Sequence, residues 1–147
     1  MGNTADHETD FYGWAMEQTR LLRAGRLAEA DVANIAEEIE SIGRSEKREL
    51  VSRLAALLLH LLKWQYQPGL RGRSWASSVA VQRREIARHL DENPSLRPTL
   101  ADVMASAYDR ALDQAEIETG RLRDMFPWSC PYTFEQVMDA EFWPDEA

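Results

Sequence analysis

Apolar side chains recur every three or four positions along most of the chain, which is the spacing of one face of an α-helix. This spacing, with capping residues, glycines and prolines as punctuation, predicts five helical stretches. They cover about residues 10–24, 28–42, 45–67, 74–92 and 96–119. A short final turn is predicted over residues 134–139, and no alternating strand pattern is visible. We expect Gly43 to interrupt or bend the chain between the second and third stretches.

The third stretch has the widest apolar face of the five. Its apolar positions are Leu50, Val51, Leu54, Leu57, Leu58, Leu61 and Leu62. At about 25 cal/mol per Å², their burial could contribute on the order of 10–20 kcal/mol before conformational entropy is subtracted. We therefore expect an all-α fold, an antiparallel bundle of about five helices around this central apolar helix.

The segment that follows Arg121 differs from the rest of the chain, because prolines interrupt any regular helix and aromatic residues are frequent. Such an arm can pack over the core or dock onto a partner chain. Packing is favoured, since each aromatic side chain buries a large apolar area. We expect residues 1–9 to form a disordered N-terminal tail and residues 10–147 to form a single helical domain. Residues 121–147 would be its irregular aromatic C-terminal arm.

Composition narrows the class of protein. The chain has 147 residues, is 44% hydrophobic and carries a net charge of −8, which disfavours a uniformly basic nucleic-acid-binding protein. Its single cysteine, Cys130, excludes an intramolecular disulfide and fits a reducing compartment. The longest apolar run is Leu54–Leu59, far short of the roughly 20 residues that a membrane span needs. We expect a cytoplasmic protein with no membrane association and no cofactor.

An acidic block on the second stretch, Glu37, Glu38 and Glu40, is the first candidate for chemistry. Paired carboxylates can bind Mg²⁺ or Mn²⁺, or act as general acid and base. The Glu-x-x-His pairs of helical di-metal proteins are absent, so no metal ligand set follows. Alternatively, these residues form a solvated acidic face that pairs with neighbouring arginines and lysine.

His60 lies away from the leucine face, on a secondary face that it shares with Lys63 and Trp64. A neutral imidazole there could be a metal ligand or a base, or a structural side chain bonded to a nearby carboxylate. The candidate polar site comprises Glu37, Glu38, His60, Lys63, Trp64 and Gln65.

Residues 63–88 hold six basic side chains against one acidic one, with Trp64, Tyr66 and Trp75 interleaved. Positive charge beside aromatic faces can bind a phosphorylated ligand or a single nucleic-acid strand. The candidate anion-binding residues are Arg71, Arg73 and Arg83, the first two just before a predicted helix N-terminus. Alternatively, the acidic block or the acidic C-terminal arm neutralises this charge.

Known catalytic signatures are absent from the sequence, including Gly-rich phosphate loops, Gly-x-Ser-x-Gly, Cys-x-x-Cys and His-Glu-x-x-His. Cys130 has no histidine next to it and is interpreted as structural. The chain therefore has no known catalytic motif, which favours a protein that is not an enzyme.

Three stretches carry a family resemblance: DFYGW at residues 10–14, NIAEEIESIGRSEK at 34–47 and HLLKWQYQP at 60–68. With Arg71, Arg73, Ser74-Trp75, residues 92–96 and CPYT at 130–133, they resemble the bacterial domain-of-unknown-function family 29, over about residues 10–143. The resemblance implies an all-helical, intracellular protein and supplies no established activity. It also marks the second stretch and residues 60–68 as signature segments, which hints that they face each other.

Three functional hypotheses follow. The favoured one is a binding or assembly module that acts through its helix faces or aromatic arm, as a homodimer or with a protein partner. The second is a binder of a phosphorylated ligand or nucleic acid through Arg71, Arg73 and Arg83, with nucleic acid not favoured. The third is a metal-assisted hydrolase that uses Glu37, Glu38 and His60. The sequence names no substrate and no particular partner.

Overall fold

The computed structural model describes residues 5–145, and within that range the chain is all-α, as predicted, with no strand. Its helices are α1 (Phe11–Arg23), α2 (Val32–Tyr66), α3 (Arg73–Glu92), α4 (Leu100–Thr119) and α5 (Phe134–Met138). Short 3-10 turns at Leu27–Glu29, Pro68–Leu70, Pro94–Thr99 and Arg123–Met125 lie between them. None of the described helices is both long and apolar enough to cross a membrane.

The second and third predicted stretches form one continuous helix, α2, of 35 residues. The predicted interruption at Gly43 is therefore wrong. A glycine inside a helix costs only about 1 kcal/mol relative to alanine, and the neighbouring Glu, Lys and Arg residues are good helix formers. A Cβ atom at Gly43 would meet nothing within 4 Å, so packing does not require glycine there.

Several predicted helix ends are confirmed and two are corrected. Asp10 caps α1 by accepting a hydrogen bond from the Gly13 N–H at 3.0 Å, and Thr133 caps α5 in a capping box. Gly120 ends α4 with a φ of +72°, the left-handed conformation that glycine commonly adopts at the C-terminus of a helix. However, α3 begins at Arg73 instead of after Ser74, and a 3-10 turn precedes α4 because two prolines occur there.

The chain divides into two compact units, Met1–Ser45 and Glu46–Ala147, and each is described by itself. The first unit contains α1 and the N-terminal part of α2. Of the tail predicted over residues 1–9, residues 1–4 lie outside the described residues, as do residues 146 and 147. Residues 7–9 form a turn, and the Asp10 N–H donates to the Asp6 carbonyl at 2.8 Å.

In the second unit, the C-terminal part of α2 packs with α3 and α4 as a helical bundle. All six leucines of the predicted central face are fully buried, and Val51 packs against them. The facing residues are Val79, Ile86 and Leu90 on α3, and Val103, Ala107, Ala111, Leu112 and Ala115 on α4. Burial of this one wide face holds the unit together.

The aromatic arm packs on the core of the second unit, as predicted. Phe126, Tyr132 and Val137 are buried in the core cluster. Trp128 is the exception, since 84% of it is exposed. The arm therefore contributes to the hydrophobic core through residues on both sides of its prolines.

Candidate functional site

The residues of the predicted polar site fall in two units. Glu37 and Glu38 belong to the first unit, whereas His60, Lys63, Trp64 and Gln65 belong to the second. Arg44 pairs with Glu37 at 3.3 Å and with Glu40 at 2.6 Å. These three side chains are more than half exposed, so such pairs contribute at most about 1 kcal/mol. They correspond to the solvated acidic face that the sequence offered as an alternative.

His60 and Lys63 make contacts that belong to the packing of the second unit. The His60 Nδ1 lies 2.8 Å from the Ala56 carbonyl oxygen, so the ring donates to backbone one turn earlier and not to a carboxylate. The Lys63 ammonium lies 3.3 Å from Glu118 and 4.8 Å from the centre of the Trp75 ring. Both Lys63 contacts are therefore with side chains of the second unit.

Trp64 and Gln65 contact the C-terminal arm. The Trp64 ring stacks on Trp143 with 4.2 Å between ring centroids, and the Tyr132 hydroxyl donates to Gln65 Oε1 at 2.5 Å. Burial raises the pKa of the Tyr132 hydroxyl, which therefore stays protonated and keeps donating. These two residues help to fix the arm on α2.

The three predicted anion-binding arginines have different environments. Arg71 donates from Nε to the Trp64 carbonyl at 2.7 Å, and its guanidinium carbon lies 5.2 Å from the Trp64 ring centroid. Arg83 is buried and donates to backbone carbonyls of the arm, and burial lowers its pKa. Arg73 lies in the first turn of α3 and is exposed. Of the three, Arg73 has the most solvent-accessible side chain.

In the first unit, Asp31 organises a hydrogen-bond network that the sequence did not reveal. Its Oδ2 accepts from Asn34 Nδ2 at 2.8 Å and from Trp14 Nε1 at 3.0 Å, and these bonds hold the pKa of its carboxyl below the usual range. The Asp31 N–H in turn donates to Gln18 Oε1 at 2.7 Å. The same residues, with His7, line a polar cavity of about 460 Å³. His7 Nε2 lies 2.6 Å from Glu38 Oε1.

An apolar groove lies along α1 and the N-terminal part of α2. We call it the hairpin groove, and its apolar residues are Phe11, Ala15, Leu22, Ile35, Ile39 and Ile42. It encloses about 450 Å³. Although these residues recur at the spacing of one helical face, Phe11, Leu22, Ile39 and Ile42 are 43–64% exposed. Trp14, Gln18 and Leu21 form the buried face of α1 instead.

A second cluster that the sequence analysis missed lies in the second unit. His89, near the end of α3, is buried beside Glu46 and Glu49 of α2, and we call these three residues the His89 cluster. One donor atom from each residue lies within 4.8 Å of the other two. The available signal was the position of His89 three residues after Ile86, on the inner face of α3.

These features define an all-α protein with a bundled unit and a helical unit that exposes an apolar groove. The sequence profile described as "Domain of unknown function DUF29" matches residues 7–143, so the chain belongs to that family. The resemblance predicted from the sequence motifs is thereby confirmed. The comparisons with curated proteins and with solved structures gave no match.

Proposed function

We propose that the protein is an assembly module whose hairpin groove docks onto the same groove of a second copy. The observation that carries this proposal is the exposure of four large apolar side chains on one side of the first unit, Phe11, Leu22, Ile39 and Ile42. The largest exposed apolar patch of a monomeric protein is about 300–600 Å² and is often functional. A patch of this kind is typical of a contact surface.

The exposed area fits a dimer interface. At 43–64% exposure, the four side chains present roughly 400 Å² of apolar surface. A standard interface buries about 800 Å² on each partner, and a little more than half of it is apolar. The groove therefore supplies close to the whole apolar part of one such interface.

The distribution of charge favours a second copy over a basic partner. Glu37, Glu40 and Arg44 lie on the face of α2 opposite Ile35 and Ile39, at 100° per residue. Among the groove-lining residues the only carboxylate is Glu38, which is already bonded to His7. A charge-depleted apolar centre is typical of homodimer interfaces. Two copies of the helix pair formed by α1 and the N-terminal part of α2, packed face to face, make a four-helix bundle. A two-fold axis gives each copy the same contacts.

The test is the mass of the protein in solution, measured by light scattering and sedimentation over a range of concentrations. We expect the wild type to have twice the 16.9 kDa mass of the chain. Ile39→Glu should weaken the dimer by about 100-fold or more, because it places a charge in the centre of the interface.

Ile117→Glu is the matched control, because Ile117 is a 75% exposed isoleucine on α4 of the second unit. It should dimerise like the wild type. Ile39 is also exposed, so circular dichroism should show both variants folded. A wild type that is monomeric at 100 µM, or an Ile39→Glu variant that dimerises as tightly as Ile117→Glu, would refute the proposal.

A further inference from the structure

The polar cavity of the first unit has a buried amide in its wall, and one end of this amide has no partner. Gln18 is only 5% exposed and lines the cavity, which encloses about 460 Å³. Its Oε1 accepts from the Asp31 N–H at 2.7 Å, which identifies the other end of the amide as Nε2. Among the described residues, Nε2 has no acceptor. Most buried polar side chains are fully bonded, so this donor indicates that a molecule in the cavity supplies the acceptor.

Acceptor atoms line the same cavity. Asn34 donates through Nδ2 to Asp31 at 2.8 Å, and within the described part of the chain its Oδ1 has no donor. A carboxylate can accept about four hydrogen bonds, so the bonds from Asn34 and Trp14 leave Asp31 able to accept more. A molecule in the cavity can therefore donate to Asn34 and Asp31 and accept from Gln18. A hydroxyl group does both.

The charge of the cavity is negative. Asp6, Glu8, Glu29 and Asp31 line it, and none of its described lining residues is a lysine or arginine. Glu29 is paired with Arg26 at 2.6 Å, outside the cavity lining. Hydrogen bonds from the Asn34 side chain and from Trp14 lower the pKa of the Asp31 carboxyl, which is therefore ionised at neutral pH. The cavity thus favours a cation, and an ammonium group supplies three donors to these carboxylates.

The size of the cavity and the spacing of its carboxylates favour an organic cation over a metal ion. Within the described residues, no three carboxylate or histidine donors of this cavity lie within 4.8 Å of one another. The volume falls within the range of about 300–1,000 Å³ that is usual for small-molecule sites. His7 packs against Trp14 with 4.5 Å between ring centroids, and its Nε2 bonds to Glu38. These two rings give the cavity an aromatic wall.

We propose that the polar cavity binds a small organic amine that carries hydroxyl groups, as an amino sugar or an amino alcohol does. Its ammonium group donates to Asp31 and is attracted by Asp6 and Glu8, while a hydroxyl accepts from Gln18 and donates to Asn34. All of these residues belong to the first unit. The proposal does not rest on the dimer, because none of the four exposed apolar side chains of the hairpin groove lines the cavity.

The test is titration of the full-length chain with three probes of similar size, followed by the NMR signal of the Trp14 indole N–H. This group donates to Asp31 at 3.0 Å, so its resonance reports new contacts with that carboxylate. Glucosamine carries an ammonium and hydroxyls, glucose lacks the ammonium, and cyclohexylamine lacks the hydroxyls. We expect glucosamine to bind with a Kd of about 1 mM or lower, at least about tenfold more tightly than either of the other probes.

Asp31→Asn should weaken glucosamine binding by about 10–100-fold, because it removes a hydrogen bond to a charged acceptor. Glu8→Gln should weaken it by about threefold, since Glu8 is exposed and solvent screens its charge. Glu40→Gln is the matched control, because Glu40 is exposed, bonds to Arg44 and does not line the cavity. It should bind glucosamine like the wild type.

Three results would overturn the proposal. One is a wild type that binds no glucosamine at about 10 mM. Another is a wild type that binds glucose or cyclohexylamine as tightly as glucosamine. The third is an Asp31→Asn variant whose affinity equals that of Glu40→Gln. Should Asp31→Asn fail to fold, Glu8→Gln takes its place in this comparison, because Glu8 is exposed.

Discussion

Arg83 attaches the C-terminal arm to α3, and its replacement should release the arm while the helices remain folded. The side chain is 8% exposed, and its guanidinium donates to the carbonyls of Val137 and Phe142, both at 2.8 Å. A third, longer bond of 3.4 Å reaches Ala140. The Arg83 guanidinium thus holds the arm at three backbone carbonyls between Val137 and Phe142.

The size of the effect can be worked from these contacts. A hydrogen bond from a charged group contributes about 1.5–3 kcal/mol, and two of the three bonds are short. The guanidinium carbon also lies 5.5 Å from the Trp143 ring centroid, a cation–π contact of about 0.5–2 kcal/mol. Desolvation opposes these terms, as the lowered pKa of Arg83 indicates. We expect Arg83→Met to cost about 3 kcal/mol, an increase on the order of 100-fold in arm opening.

The assay is hydrogen exchange of the amides in residues 137–143, supported by limited proteolysis of the arm. Arg83→Lys should give an intermediate loss of protection, because an ammonium retains the charge but cannot span the same carbonyls. Arg84→Met is the matched control, since Arg84 is the adjacent residue and is exposed. Equal protection of the arm in Arg83→Met and Arg84→Met would refute this account.

Four further substitutions test the fold. Leu58→Ala removes a fully buried side chain and should lower the free energy of unfolding by about 2–5 kcal/mol in urea titrations. In the same titrations, Gly43→Ala should raise that free energy by about 1 kcal/mol, whereas Gly120→Ala, at a φ of +72°, should lower it by about 1–2 kcal/mol. The opposite order would contradict the helical geometry. Because the folded pKa of Asp31 is lowered, its stabilisation is complete above the unfolded pKa near 3.8 and is lost as the pH falls through the folded value. Asp31→Asn should therefore have a lower melting temperature than the wild type at pH 7, and the difference should shrink below about pH 4. A difference in melting temperature that stays the same in acid would count against the network.

The sequence predicted the helices best where an apolar face had only one way to be buried. The leucine face of residues 50–62 is wide and regular, and the structure buries it as expected. Helix interruptions were harder to predict, because one glycine costs little in a long helix and nothing packs against Gly43. Local signals of order 1 kcal/mol are easily outweighed by packing along the same helix.

The His89 cluster was harder to predict, because His89 lies 40 or more residues from the two glutamates and only the packing of α3 on α2 brings them together. Histidine is also unremarkable in the last turn of a helix, where it complements the helix dipole. The combination that mattered was a histidine on the inner face with two glutamates one helical turn apart. Periodicity can predict each half of that combination, but the register between α2 and α3 decides whether the halves meet.

The hairpin groove shows a different limit of periodicity. The stripes of Phe11 and Leu22 and of Ile39 and Ile42 have the same spacing as the leucines of the second unit, so periodicity alone does not separate a buried stripe from an exposed one. An apolar stripe must be buried against another element, and in the second unit α3 and α4 supply it. Among the described residues of the first unit, the α-helices are α1 and part of α2, and contact between two helices covers one side of each. The apolar side that remains can be buried by the same groove of a second copy, which carries the same apolar side chains at the same spacing.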